Sequence, residues 1–173
     1  MVTTGYKIIS SGEANYLEAN VHADEVFKVV GAIAVTILPN VAAPIVGIRG
    51  EDPILGPYTW RNEAVRVFEP HIEALQHDGF LEFGLIFQFK GETNEVFVHS
   101  SKYLRIWTTN LAAVRRVLEA HLIPEVTDLR FIDEYPTAYE TLPDAAGNPG
   151  SAHTLERLTE AFAKLETVPP SGA

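Results

Sequence analysis

His99, Ser101, Tyr103 and Arg105 occupy every second position of one short stretch. Side chains two apart in an extended chain point to the same side, so these four would share one surface. Imidazole offers a general base, serine and tyrosine offer hydroxyls, and a guanidinium can clamp an anion. Phe97 precedes them and Trp107 follows at the same spacing, which frames the polar groups with rings. The catalytic candidates are therefore His99, Tyr103 and Arg105. The candidate ligand- or partner-binding residues are Phe97, His99, Ser101, Tyr103, Arg105 and Trp107. This is strand alternation and not a catalytic spacing. A sheet face partly buried under a helix or a second subunit, with its polar groups hydrogen-bonded, accounts for the same residues and is the preferred reading.

Other residues carry less chemistry. His71 and His77 are six apart, which places them on different faces of a helix and not as an i, i+4 ligand pair. His22, His121 and His153 are isolated, and Glu51-Asp52 sits in a loop before Pro53. Trp60-Arg61 could stack on a ligand or cap the core. Gly47 and Gly50 lead into a loop with Pro53, not into a helix start with a lysine, so no phosphate-binding pattern is present. No G-x-S-x-G elbow occurs. With no cysteine in the chain, thiolate metal sites, disulfides and cysteine nucleophiles are excluded. No metal site and no cofactor are expected, and the missing thiols fit a cytoplasmic location.

The 173 residues include 13 basic and 23 acidic ones, for a formal net charge of -10. Binding to nucleic acid releases counterions through clustered cations, so this balance argues against nucleic acid and leaves room for a basic protein partner. Val29 to Ile48 has no charged residue and is about as long as a membrane span. Its prolines, glycines and Asn40 break it instead into a buried helix, a turn and a buried strand.

The elements that must position the candidates come from periodicity. Leu81, Phe83, Leu85, Phe87 and Phe89 alternate, a polar break at 90–94 follows, and a second run extends from Glu95 to Trp107. Two such runs joined by a short break predict a β-hairpin. Upstream, Tyr6–Ser10 predicts a short strand, 13–21 is ambiguous, 24–38 predicts a helix with a strand as the competing reading because valine and isoleucine are dense there, and Pro44–Gly50 a buried strand. The stripe Val65, Phe68, Ile72, Leu75 predicts a helix with Asn62 as N-cap, either kinked at Pro70 or beginning there. Thr109-Asn110 caps a helix with Leu111, Val114 and Leu118 inside, and Leu129–Tyr135 predicts a last strand. From Pro44 to Tyr135 the order is strand, helix, strand, strand, helix, strand. That is the split βαβ arrangement of ferredoxin-like folds, an antiparallel α+β sheet with helices on one face. The expected organisation is one domain over 1–136 with its core at 44–136, a linker at 137–150, and an amphipathic helix with a tail at 151–173.

In that arrangement Val96, Val98, Leu104 and Ile106 face the helices. Ile86, Gln88, Phe97, His99, Ser101, Tyr103, Arg105 and Trp107 face the other way. A face that mixes rings with polar groups needs a cover, a partner or a ligand. The N-terminal segment, the C-terminal helix or a second copy of the chain could cover it, and the expected cover is a homodimer interface or the C-terminal helix. The expected function is non-catalytic binding of a macromolecular partner, or of a second copy, through this face, in the manner of an inhibitor, immunity or regulatory protein. The alternative is a small-molecule enzyme or ligand binder that uses His99, Tyr103 and Arg105 in a pocket against the sheet.

Overall fold

The computed structural model describes residues 3–12, 14–135 and 150–170. The linker expected at 137–150 falls outside them except for Gly150. The chain forms an antiparallel α+β fold. Its strands are β1 (Gly5–Ser10), β2 (Asn15–Asn20), β3 (Val41–Ile48), β4 (Ile54–Leu55), β5 (Thr59–Trp60), β6 (Leu81–Phe89), β7 (Glu92–Val98) and β8 (Tyr103–Thr108). Its helices are α1 (Val26–Ile37), α2 (Arg61–Arg66), α3 (Ile72–His77), α4 (Leu111–Ala120) and α5 (Ser151–Phe162). The sheet runs β1-β2-β8-β7-β6-β3-β4, with β5 also on β3.

The uncharged stretch resolves as its punctuation predicts. Val26, Val29, Val30, Ile33, Ala34 and Ile37 repeat at helical spacing and are the buried stripe of α1. Pro39 and Asn40 separate it from β3, which is buried along nearly its whole length. No helix among the described residues is long and apolar enough to cross a membrane. Pro44 is tolerated in β3 because it falls between the short edge strands: β5 pairs with Val41 and Ala42, and β4 with Ile45 and Val46.

The split βαβ order is not formed. β6, β7 and β8 are consecutive neighbours, and β2 and β1 extend the sheet beyond β8. Leu129–Tyr135 is no strand; Ile132–Glu134 is a single 3-10 turn. The long second arm of the expected hairpin is also two strands. His99 N–H donates to Tyr103 O at 3.0 Å, Lys102 N–H donates to His99 O at 2.8 Å, and Lys102 adopts φ 61°. The face assignment survives this turn, because Val96 pairs with Ile106 and Val98 with Leu104.

Upstream, Pro70 does interrupt the apolar stripe. It lies in a 3-10 turn at Glu69–His71 that splits α2 from α3, and α2 begins at Arg61, so Asn62 is not its cap. Asn110 does cap α4, accepting Ala113 N–H at 3.1 Å.

The core lies between one sheet face and the helices. Phe83, Leu85, Val96, Val98, Leu104 and Ile106 pack there with Leu17 and Ala19 of β2. The C-terminal helix joins this core and does not cover the opposite face. Leu158 and Phe162 of α5 are buried in it, and the Phe162 ring meets Phe68 edge-on at 6.0 Å. Ser151 Oγ donates to Asp78 Oδ2 at 2.6 Å and fixes the start of α5 beside α3.

Candidate functional site

The strand register lays the opposite face out in rows. One row reads Tyr16, Trp107, Glu95, Ile86 and Ala43 across β2, β8, β7, β6 and β3. The next reads Glu18, Arg105, Phe97, Gly84, Ile45 and Leu55. Asn20 and Tyr103 begin a third. Five of the six candidate residues cluster as expected around β8. Ser101 does not sit on a strand; it belongs to the β7–β8 turn, where its N–H donates to His99 Nδ1 at 3.2 Å.

One end of this face is closed by a segment outside the covers expected for it. After α4, Pro124 O accepts Tyr6 N–H at 2.9 Å, and Val126 N–H donates to Tyr6 O at 2.8 Å. This short parallel pairing guards the β1 edge. The chain then folds over the face as a strap. Leu129 and Phe131 pack with Tyr103 in a small second core. The Phe131 ring lies 4.7 Å from that of Tyr103, and Lys7 Nζ of β1 lies 4.6 Å from the centre of the Phe131 ring.

Beside the strap, each of the three catalytic candidates already has a polar neighbour, and two of them, Arg105 and Tyr103, bond to each other. Arg105 Nη2 donates to Tyr103 Oη at 2.8 Å, and Tyr103 Oη donates to Asp133 Oδ2 at 3.2 Å. Burial pushes the Tyr103 phenol up to about 12, so it is a proton-bearing group at neutral pH. Burial, and then the Arg105 charge, hold His99 below the usual histidine range. Its Nδ1 accepts from Ser101 N–H, which puts the ring proton on Nε2, facing Glu82 Oε1 at 3.6 Å. Neither ring nitrogen is left as an open base. With Tyr103 only 4% exposed, this cluster reads as a cross-braced part of the sheet.

The other end of the face is open. Tyr16, Ile45, Pro53, Leu55, Ile86, Glu95, Phe97, Arg105 and Trp107 line a groove of about 400 Å³. Tyr16 and Trp107 stack with centroids 4.3 Å apart and planes 17° apart. Phe97 forms the floor because β6 carries glycine opposite it. A Cβ at Gly84 would lie 2.5 Å from Val96 O and 3.0 Å from Phe97 Cδ2. Trp107 is 38% exposed and Leu55 59%.

The charges in the groove do not balance. Arg105 is turned toward Glu18, with Nε 3.9 Å from Glu18 Oε1, while it also braces Tyr103. Glu95 has no hydrogen-bond or ion-pair partner among the described residues. Burial holds its carboxyl above the usual range, and Arg105 only partly offsets this. Among the described residues no group of three or more histidines and carboxylates is placed to hold a metal ion.

Sequence reasoning passed over Tyr16, Glu18, Glu95 and the strap. Glu95 was within reach, because it precedes Phe97 by two positions in the same alternation. The strap left no periodic signal that separates it from a strand. No protein-family model matches the chain, and neither a curated protein nor a solved structure matches it.

Proposed function

We propose that this is a non-catalytic binding protein whose partner is a basic polypeptide, taken on the open half of the second sheet face. The reading is carried by the contrast between the two ends of that face. Tyr103 is covered by the strap and bonded to Arg105 and Asp133, and His99 is held by Ser101 and Glu82, whereas Trp107 and Leu55 beside them are exposed. Trp107, Tyr16, Leu55 and Pro53 line the groove as an apolar surface of the kind that marks an interaction site. Tryptophan and tyrosine are also the residues that dominate binding energy in such patches. The net charge of -10 favours encounter with a cationic partner. The strap removes the need for a second copy of the chain at the Tyr103 end.

A displayed library of random peptides tests this when selected on the wild-type protein and counter-screened on Trp107→Ala. Enrichment of lysine- or arginine-bearing peptides that lose binding to Trp107→Ala supports the reading. Enriched peptides that bind both proteins equally, or acidic peptides in place of basic ones, overturn it.

A further inference from the structure

We propose that the groove beside Trp107 is a subsite for one long aliphatic side chain ending in an ammonium group, the lysine of a basic polypeptide. This rests on the partner reading above and names the chemistry at its centre. Three observations lead to it. Glu95 is a half-buried carboxylate on the groove wall, and it lacks a cationic partner among the described residues. Arg105, the nearby cation, donates to Tyr103 Oη at 2.8 Å and holds its Nε 3.9 Å from Glu18 Oε1, an ion pair beyond hydrogen-bond reach. The remaining surface is aromatic or aliphatic: the Tyr16–Trp107 stack on one side, Phe97 below, Ile86, Ile45 and Leu55 opposite.

An anion entering here would meet Glu95, and Arg105, the cation among the lining residues, would have to answer Glu18 and Glu95 as well as the anion. A neutral apolar chain would fill the groove but leave the carboxylate buried and unpaired, which costs free energy. An alkylammonium answers both parts. Its methylenes cover Phe97 and Ile86, and its charge meets Glu95 beside the face of an indole, a favourable site for a cation. Glu95 and Trp107 are direct cross-strand partners, so the sheet holds the two recognition elements at a fixed separation. The apolar surface continues onto Pro53 and Leu55 at the far side of the groove, past the reach of a small amine. This favours a side chain presented by a polypeptide over a free metabolite.

The test uses n-pentylammonium, n-pentanol and pentanoate as probes, each titrated into the full-length protein and followed by NMR. Saturable shifts at the Trp107 indole N–H and the Glu95 and Phe97 amides are expected with the ammonium alone. Glu95→Gln should weaken its binding about ten-fold or more, as loss of one desolvated charge partner requires. Trp107→Leu should weaken it too while keeping the backbone spectrum. Equal binding of pentanol or pentanoate, or an ammonium affinity indifferent to Glu95→Gln, overturns the proposal. The two readings fail separately. If the ammonium binds at Glu95 but no basic peptide is selected, the subsite stands and the polypeptide partner falls. If selected peptides need Trp107 but tolerate Glu95→Gln and lysine-to-norleucine replacement, the partner stands and the subsite falls.

Discussion

The Phe131 ring packs on Tyr103 at a 43° tilt, with ring centroids 4.7 Å apart, although one residue is on a strap and the other on a central strand. This contact decides which half of the face is available. It shields Tyr103 while Asp133, two residues further along the strap, accepts the phenol proton. Removing the Phe131 ring should therefore loosen the strap and not only leave a void. Phe131→Ala is expected to cost about 3 kcal/mol, at the low end for a buried phenylalanine because its cluster is small. Amide exchange over Leu129–Glu134 should quicken in the same variant. A urea midpoint and exchange pattern equal to wild type would show that the strap does not depend on this ring.

Glu95 should make the protein less stable at neutral pH than it could be. Its folded-state carboxyl is raised mainly by burial, so the folded chain holds that proton more tightly than the unfolded chain. The stabilising contribution is complete below the unfolded value and is lost as pH rises through the folded one. Glu95→Gln mimics the protonated form. It should melt with wild type at about pH 3 and above it at about pH 7, the gap opening as pH rises past the ordinary glutamate range. Sites kept for binding often carry such a cost. A gap that is constant with pH, or of opposite sign, contradicts the burial of this carboxylate.

Parts of this arrangement are legible in the sequence for reasons tied to particular residues. Val96, Val98, Leu104 and Ile106 are correctly assigned to the core even though a turn separates the pairs, because the turn preserves the odd-even count between Val98 and Leu104. The alternation of Leu129 and Phe131 misleads for the opposite reason. Both are buried on Tyr103, but the backbone between β1 and the strap is satisfied largely by side chains and not by a ladder. Lys7 Nζ donates to Leu129 O, Asn20 Nδ2 to Arg130 O, and Glu134 Oε1 accepts Phe131 N–H. Such partners are more than a hundred residues away or specific to one geometry, and no local period encodes them. Tyr16 and Glu18 were hidden by a stretch whose alanines, leucine and glutamate suit a helix as well as a strand. Glu95 was passed over because a charged residue on a strand ordinarily faces water.

Lys102 offers a test of the β7–β8 turn. Its Nζ reaches under the sheet to donate to Leu75 O at 2.9 Å and Leu81 O at 2.7 Å. Burial lowers its ammonium from 10.5 to about 8, against the opposing pull of Asp78 and Glu82. Between those two values the unfolded chain keeps a proton that the folded chain has released. Stability from this group therefore rises with pH across that window. Lys102→Met keeps the positive φ and a similar stem but cannot titrate. The difference in urea midpoint between wild type and Lys102→Met should shift in favour of wild type as pH climbs from 8 toward 10.5. A difference that stays flat across the window places the ammonium in solvent and not beneath the turn.

Gly84 is the position on which the groove floor depends. The residue sits in the middle of β6, paired with Phe97 on one side and Ile45 on the other. Glycine inside a strand ordinarily weakens it, so its presence needs a reason. The reason is the close approach of the β7 backbone, with the Phe97 ring beside it, across the space that a side chain would fill. A Cβ there would approach Val96 O to 2.5 Å and Phe97 Cα to 2.9 Å, and both of these are backbone atoms that cannot swing aside. Gly84→Ala should therefore push β7 away from β6 and tilt the Phe97 ring into the groove. The expected cost is about 1–3 kcal/mol, the range for overpacking a close-packed site. Because Phe97 lies between Glu95 and the β7–β8 turn, the same change should also weaken pentylammonium binding while the Tyr103 cluster keeps its chemical shifts. Phe97→Leu with Gly84 kept separates the two effects, because it leaves the backbone approach of β7 to β6 unchanged. Weaker pentylammonium binding in that variant makes the ring the floor of the subsite, and binding equal to wild type shows that Phe97 serves packing alone. If Gly84→Ala by itself melts like wild type, the ring does not lie where the groove requires it.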